Sequence, residues 1–563
     1  MVQKKKVKAS ERSGAKHGIL SDRRVHLLVI LIIGAIAYSN TFIVPFQWDD
    51  LTYIVENPII KQLHYFIEPS DAKGLQFYDH VVQRYVTYLS FAFNYAIHGY
   101  NVTGYHFVNL AVHLINALLV YLLFSLTFRT PLLKASAIKD RAELAALFAA
   151  ILFVSHPLQT MAVTYIYQRL ASLATLFYLL SLVSYLKSRL SRKAVQRILF
   201  YGVSFLSAVL AMKSKENAFT LPLVIVLFEF FFFTGETKKR VLQLTPFVFA
   251  LLIIPLSLTG EEGSGHAGIH TDNKTLSSEV YFFTQFRVLV MYLRLLFLPV
   301  RQSVLHDISV SHSFFELNVI LSFLFLIGML CLGLTLFLRS RTGSPELRIV
   351  AFGIFWFFLT HSVESSFIPL LLAQEYRMYL PSVGLFMSIS TAALLMFHKS
   401  GVMRTVVIAC VIAVPLILTS LTYSRNTVWQ TRLGLWEDVV SRAPNDPIAN
   451  FNLGFAYTEK GLIDKSKMYY ERAILLKPDY ARAYNNLGCI YGQKNNPDKA
   501  IELLLLALEK DRNLAIAHYN LGLAYILKRQ LGEAEIQLRA ALKLNPGLKG
   551  AKGVLTRLEQ KRG

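Results

Sequence analysis

Apolar residues come in long blocks through the first three quarters of the chain and then give way to short, periodic, mixed sequence. Blocks at about 25–44, 104–127, 142–156, 162–186, 197–212, 217–234, 242–258, 317–338, 347–363, 382–398 and 402–421 predict eleven helical spans, because about 20 apolar residues cross a bilayer core. The first block follows a basic stretch, but no small-residue cleavage motif closes it, so it reads as an anchor rather than a leader. A further apolar stretch, 281–299, carries Arg287 and Arg294 seven residues apart on one helix face. It predicts a re-entrant or interfacial segment.

Past residue 422 the pattern changes. Asn452-Leu453-Gly454 returns as Asn486-Leu487-Gly488 and Asn520-Leu521-Gly522, each 34 residues on, followed by Tyr457, Tyr491 and Tyr525. Ala473, Ala507 and Ala541 keep that register, and Pro478 and Pro546 end two of the units. The period and its small residues predict tetratricopeptide-type helix pairs. The reading is a half repeat at 430–446, repeats at 447–480, 481–514 and 515–548, and a closing polar helix at 549–561. The fold class is therefore all-α, divided into a basic tail (1–24), a polytopic bundle (25–422) and an α-solenoid (423–563).

Composition agrees: 54% of the residues are hydrophobic, which suits a polytopic membrane protein. The net charge of +22 could point to nucleic acid, but its placement does not. Lys and Arg cluster in the first 24 residues and in short loops at 129–141, 187–197, 238–240, 339–348 and 399–404. That distribution sets topology by the positive-inside bias. It predicts a cytoplasmic N-terminus, with the first loop and the repeats on the other side, periplasmic in a bacterium and lumenal in a eukaryote. Cys331, Cys410 and Cys489 show no disulfide framework or metal spacing.

Polar residues within or beside spans are costly and need a partner or a cavity. His106, Asn109, His113 and Asn116 share one stripe of their helix. Arg84, His156, Arg169, Lys215, Glu216, Glu375 and Arg377 gather at the same predicted end as the doublet Asp49-Asp50. Local pairing, Lys215 with Glu216 or Arg377 with Glu375, is one use for them; binding a phosphate is another.

Several runs occur in a telling order: Trp48-Asp49-Asp50, Arg84 to Phe91, Gly104 to Asn116, Ser155 to Thr160, Ser214-Lys215-Glu216, Tyr292 to Pro299 and Glu375 to Ser382, then the repeats. In this the chain resembles the transmembrane-and-tetratricopeptide-repeat (TMTC-like) protein O-mannosyltransferases and their bacterial relatives, within the C-type glycosyltransferase (GT-C) superfamily. It departs at Arg84-Tyr85-Val86, where Arg, Pro and Leu are expected, and at Gln168-Arg169-Leu170-Ala171, where relatives carry Gly-Arg-Ala-Asp. The resemblance implies sugar transfer from an undecaprenyl- or dolichyl-phosphate carrier to Ser or Thr hydroxyls of protein on the non-cytoplasmic face. It implies an acidic base in the first outer loop, Asp49 or Asp50, with Asp49 favoured and a divalent cation conceivable near Asp50. Arg84, Lys215, Arg294 and Arg377 are the phosphate candidates, with His106, His156, Arg169, Glu216, Arg287, Glu375 and Tyr379 in support. The concave face of the repeats would receive acceptor protein. Competing readings are transfer to a glycolipid acceptor and a non-catalytic scaffold.

Overall fold

The computed structural model describes residues 22–258, 276–398 and 401–562; most of the basic tail read at 1–24 lies outside them. Among the described residues the chain is helical, with no strand. The described residues form two compact units: those within 1–302 and 308–430, and those within 303–307 and 431–563.

The first unit holds α1 (Arg23–Ala37), α2 (Tyr78–Gln83), α3 (Tyr85–His98), α4 (Val102–Thr127), α5 (Ala142–Ser155), α6 (Thr160–Val163), α7 (Arg169–Leu190), α8 (Ala194–Met212), α9 (Leu221–Phe232) and α10 (Thr237–Ala250). It continues with α11 (Ile253–Leu258), α12 (Ser278–Phe297), α13 (Leu317–Arg339), α14 (Leu347–His361), α15 (Pro381–Phe397) and α16 (Val402–Val428). Among the described residues six helical segments are long and apolar enough to cross a membrane: Val102–Thr127, Ile166–Leu190, Ala194–Met212, Ser278–Phe297, Leu317–Arg339 and Val402–Val428. A seventh arises if Lys139–Ser155 and Pro157–Val163, bent by 52° at His156, form one span. The other expected spans are shorter. At 1.5 Å per residue, the 15 residues of α1 or α14 reach about 22 Å, less than a core of about 30 Å.

Polar side chains tie the bundle from within. His113 on α4 pairs with the Tyr379 hydroxyl at 2.7 Å. Asn116 donates to that hydroxyl at 3.1 Å and to the Ser172 carbonyl at 2.8 Å. Ser181 and Ser204 exchange hydrogen bonds with each other's carbonyls, both at 2.8 Å, across α7 and α8. Small residues let backbones close where no hydrophobic drive operates between helices. A Cβ on Gly353 of α14 would lie 2.0 Å from Ser388 Oγ and 2.1 Å from the Gly384 carbonyl of α15.

The stretch read as re-entrant or interfacial is one unbroken helix, α12. It is not a re-entrant hairpin, and its contacts run sideways. Tyr281 donates to the Glu364 carbonyl (2.7 Å), Gln285 to the Leu372 carbonyl (3.0 Å) and Tyr292 to the Gln374 carbonyl (3.0 Å), while the Leu296 carbonyl meets His156 Nε2 (2.9 Å). These partners belong to helix ends and loops, and α12 is also long and apolar enough to cross a membrane.

The second unit holds α17 (Arg432–Arg442), α18 (Pro447–Glu459), α19 (Ile463–Leu476), α20 (Ala481–Gln493), α21 (Pro497–Lys510), α22 (Ala515–Leu527), α23 (Leu531–Leu544) and α24 (Lys549–Arg562). A Cβ on Gly454, Gly488 or Gly522 would come within 2.9, 2.8 or 3.0 Å of Tyr470, Leu504 or Leu538 on the next helix. That close approach is why the period keeps glycine. The closing helix buries Ala551, Leu555 and Leu558 and leaves its charges outward.

Candidate active site

The loop after α1 carries the acidic doublet on a tight turn. Trp48 adopts a left-handed backbone (φ 43°), costly for a residue with a Cβ. Two things hold it: its indole stacks on Tyr165 (6.4 Å, 2° between planes), and the following carboxylate braces the turn. Asp50, 1% exposed, accepts the Gln47 N–H at 2.9 Å through one oxygen and the Tyr167 N–H at 2.7 Å through the other. Burial pushes its carboxyl well above the ordinary range, against the pull of those two N–H groups. Asp49 is only half-buried. Its backbone N–H donates to the Tyr165 hydroxyl at 2.9 Å, and that hydroxyl also hydrogen-bonds its side chain. The two neighbours thus differ: one carboxylate is consumed by the backbone, the other reaches the surface.

Beyond Tyr167 runs a chain of charges, part-buried at Arg84 and Glu216 and buried from Lys215 on. Arg84 donates to the Tyr167 hydroxyl (3.2 Å) and to Glu216 (2.7 Å). Lys215, next in sequence, donates to Glu364 (2.6 Å), the two side chains being 9% and 8% exposed, and lies 4.4 Å from the Tyr376 ring centre. Tyr281 joins this group to Arg377, whose guanidinium donates to its hydroxyl at 3.4 Å. Burial lowers the Lys215 ammonium despite Glu364. Burial raises the two glutamates, but Lys215 outweighs it at Glu364, as Arg84 does at Glu216, and both stay below their usual range. Arg377, desolvated but ringed by Tyr281, Tyr292 and Tyr376, is held firmly charged.

Around Arg377 several buried polar atoms lack a protein partner among the described residues. They are Arg377 Nε, both ends of the Gln374 amide and His361 Nε2. Buried polar groups are nearly always satisfied, so this cluster marks a place for polar ligand or water.

The paired partners differ from the local pairing expected for these residues. Lys215 takes Glu364, not Glu216, and Glu216 takes Arg84; Glu375 receives Gln302 Nε2 at 3.1 Å. Other candidates serve the scaffold. Arg169 spends its fork on Asn109 (2.6 Å), Ser90 and the Tyr105 carbonyl (3.0 Å). His106 holds the Val44 carbonyl at 2.8 Å, and His156 caps the bend through Leu158 N and reaches the Leu296 carbonyl. Arg287 binds the returning chain at Ser309 (2.8 Å) and Ser311 (3.0 Å). Tyr379 serves His113 and Asn116. Arg294 is exposed on α12 and, among the described residues, makes no ion pair with the others. Sequence missed Glu364, His361, Gln374 and the tyrosines Tyr165, Tyr167 and Tyr281. Both Asp50 oxygens accept N–H groups, and among the described residues no three His, Cys, Asp or Glu side chains converge.

Tetratricopeptide-repeat family models match residues 446–513 and 486–548. A Caenorhabditis elegans protein O-mannosyl-transferase is 26% identical, covering 81% of this chain and 63% of that protein. Protein O-mannosyl-transferase TMTC3 of Mus musculus is 24% identical over 81% of this chain and 52% of its own. TMTC2 of Homo sapiens is 32% identical over 38% of this chain and 25% of its own. The chain thus spans less than two thirds of the length of these curated relatives. Among solved structures, MamA is 26% identical with a TM-score of 0.20, covering 26% of this chain and 86% of MamA.

Proposed function

We propose that this TMTC-like membrane protein is a glycosyltransferase that moves a sugar, mannose by its likeness to the protein O-mannosyl-transferases, onto Ser or Thr hydroxyls of protein acceptors. The observation that carries the reading is the split of the acidic doublet beside a line of cations, Lys215 and Arg377 buried and Arg84 part-buried. Asp49, half-buried and held at its amide and side chain by Tyr165, takes the hydroxyl proton as general base, the role in which a carboxylate activates a weak nucleophile. The hydroxyl oxygen then forms a bond to the anomeric carbon, and the bond from that carbon to the phosphate of a polyprenyl-phosphate carrier breaks. The leaving phosphate keeps the electron pair and gathers negative charge. Arg84, Lys215 and Arg377 stabilise it, as preorganised cations in a dry site do. Asp50 fixes the turn that aims Asp49. Tetratricopeptide stacks present a concave face to peptides, so the repeats hold the acceptor, and the reaction belongs on the non-cytoplasmic face.

The test is intact-mass glycoproteomics of a deletion strain complemented with the wild type, Asp49→Asn or Asp50→Asn. Hexose on Ser or Thr that vanishes on deletion and is not restored by Asp49→Asn, with the variant present at wild-type level, supports the assignment. Full restoration by Asp49→Asn rejects Asp49 as base. An unchanged proteome with altered glycolipids moves the acceptor from protein to lipid.

A further inference from the structure

The opposite end of the bundle carries a second charged site. There α4, α7 and α9 end, α8 begins, and a cavity of about 960 Å3 opens between them. Its wall includes Arg129, Lys134, Lys187, Arg189, Arg192 and Lys193, and no carboxylate. Two of these cations have counter-charges behind the wall: Arg189 with fully buried Glu229 at 2.9 Å, and Arg129 with Glu143 at 3.7 Å. Three helix C-termini add about half a negative charge each. About two to three positive charges remain, so the cavity is built for an anion. Two rings lie under the cations: Phe200 is 5.4 Å from Lys187 Nζ, and Phe233 is 4.8 Å from the Arg189 guanidinium.

We propose that this cavity binds a phosphate group, supplied by an anionic lipid headgroup or a free phosphate. Guanidinium and ammonium groups from separate segments close on a phosphate at short range, which a flat basic surface does not do. The flank favours the lipid source. The first turns of α8 leave Val195, Ile198 and Leu199 78%, 70% and 60% exposed beside the cavity, an apolar surface that acyl chains would cover. The site lies at the end away from Asp49 and does not depend on the reaction proposed there.

The test uses the full chain in neutral detergent, with dioctanoyl phosphatidylglycerol, dioctanoyl phosphatidylcholine and inorganic phosphate as probes. At about fivefold per cation near a charged lipid surface, Lys187→Gln/Arg192→Gln/Lys193→Gln lowers phosphatidylglycerol affinity about a hundredfold. The control Lys238→Gln/Lys239→Gln, on exposed positions outside the cavity, changes it less than about twofold. The charge-keeping Arg192→Lys/Lys193→Arg holds wild-type affinity, which separates charge from packing. Inorganic phosphate that displaces the lipid and loses affinity in the same triple variant assigns the site to free phosphate. Equal binding of phosphatidylcholine, equal loss in the control, or no loss in the triple variant overturns the proposal.

Discussion

The Lys215–Glu364 pair offers the sharpest physical test. At 2.6 Å and an effective dielectric of about 20, the attraction is about 6 kcal/mol. Desolvating the two ions removes several kcal/mol each, so the pair as a whole contributes little. Breaking it is another matter, because one charge then stays buried alone. Glu364→Gln should cost about 3–5 kcal/mol, softened slightly by the Tyr376 ring beneath the ammonium. Lys215→Met should cost a similar amount, since it strands Glu364. Lys215→Met/Glu364→Gln removes both charges and should lie closer to wild type than either single variant, giving a coupling of several kcal/mol. The assay is unfolding of the four proteins in mixed micelles with rising dodecyl sulfate fraction. A loss below about 1 kcal/mol for Glu364→Gln alone would refute the reasoning, because it would mean that Lys215 finds water or another anion.

Three further outcomes follow from local geometry. Glu216 and Glu364 both sit below their ordinary value of 4.5; a depressed carboxyl stabilises above that value and loses the contribution as pH falls through its folded value. The melting midpoint should therefore drop as pH falls below about 4.5, and Glu216→Gln/Glu364→Gln should flatten that drop. Gly353→Ala drives a methyl against Ser388 and the Gly384 carbonyl and should cost about 1–3 kcal/mol, while Gly202→Ala, with open space around it, should leave the midpoint unchanged. Gly488→Ala meets Leu504 and the Ala500 carbonyl, which cannot swing away; hydrogen exchange on the intact chain should show protection lost in α20 and α21 and kept in α4 and α7.

The repeats were legible because their signal is local: glycine and alanine recur every 34 residues, and each touches the helix that follows. The acidic doublet was legible by resemblance, yet the difference between its members was not. Asp50 is distinguished by an amide 117 residues away, and no periodicity carries that information. Charge pairing failed for the same reason. Lys215 passes over its neighbour Glu216 for Glu364, 149 residues on, because the tertiary fold decides which carboxylate is buried beside it. The interior stripe of α4 was readable, since polar residues in a span must meet something. Which carbonyls and hydroxyls they meet depends on packing that residue spacing does not encode. Helix length also departed from the apolar runs: the run at 242–258 is divided between α10 and α11, with turn residues at 251–252, although Pro246 itself sits inside α10.

The wide sequence separations have a temporal side. At about 5–20 residues per second of synthesis, Asp50 emerges about 6 to 23 seconds before the Tyr167 amide that will hold it. Lys215 waits about 7 to 30 seconds for Glu364. Ala37 waits longer still: its carbonyl receives Asn426, 389 residues later, at 2.9 Å. An unpaired charge will not rest in hydrocarbon over such intervals, so Asp50 and Lys215 stay in water until their own partners arrive. The acidic turn is thus made early and has its Tyr165 and Tyr167 braces soon after, and a chain stalled after α8 would carry both aspartates before Lys215, Glu364 and Arg377 exist.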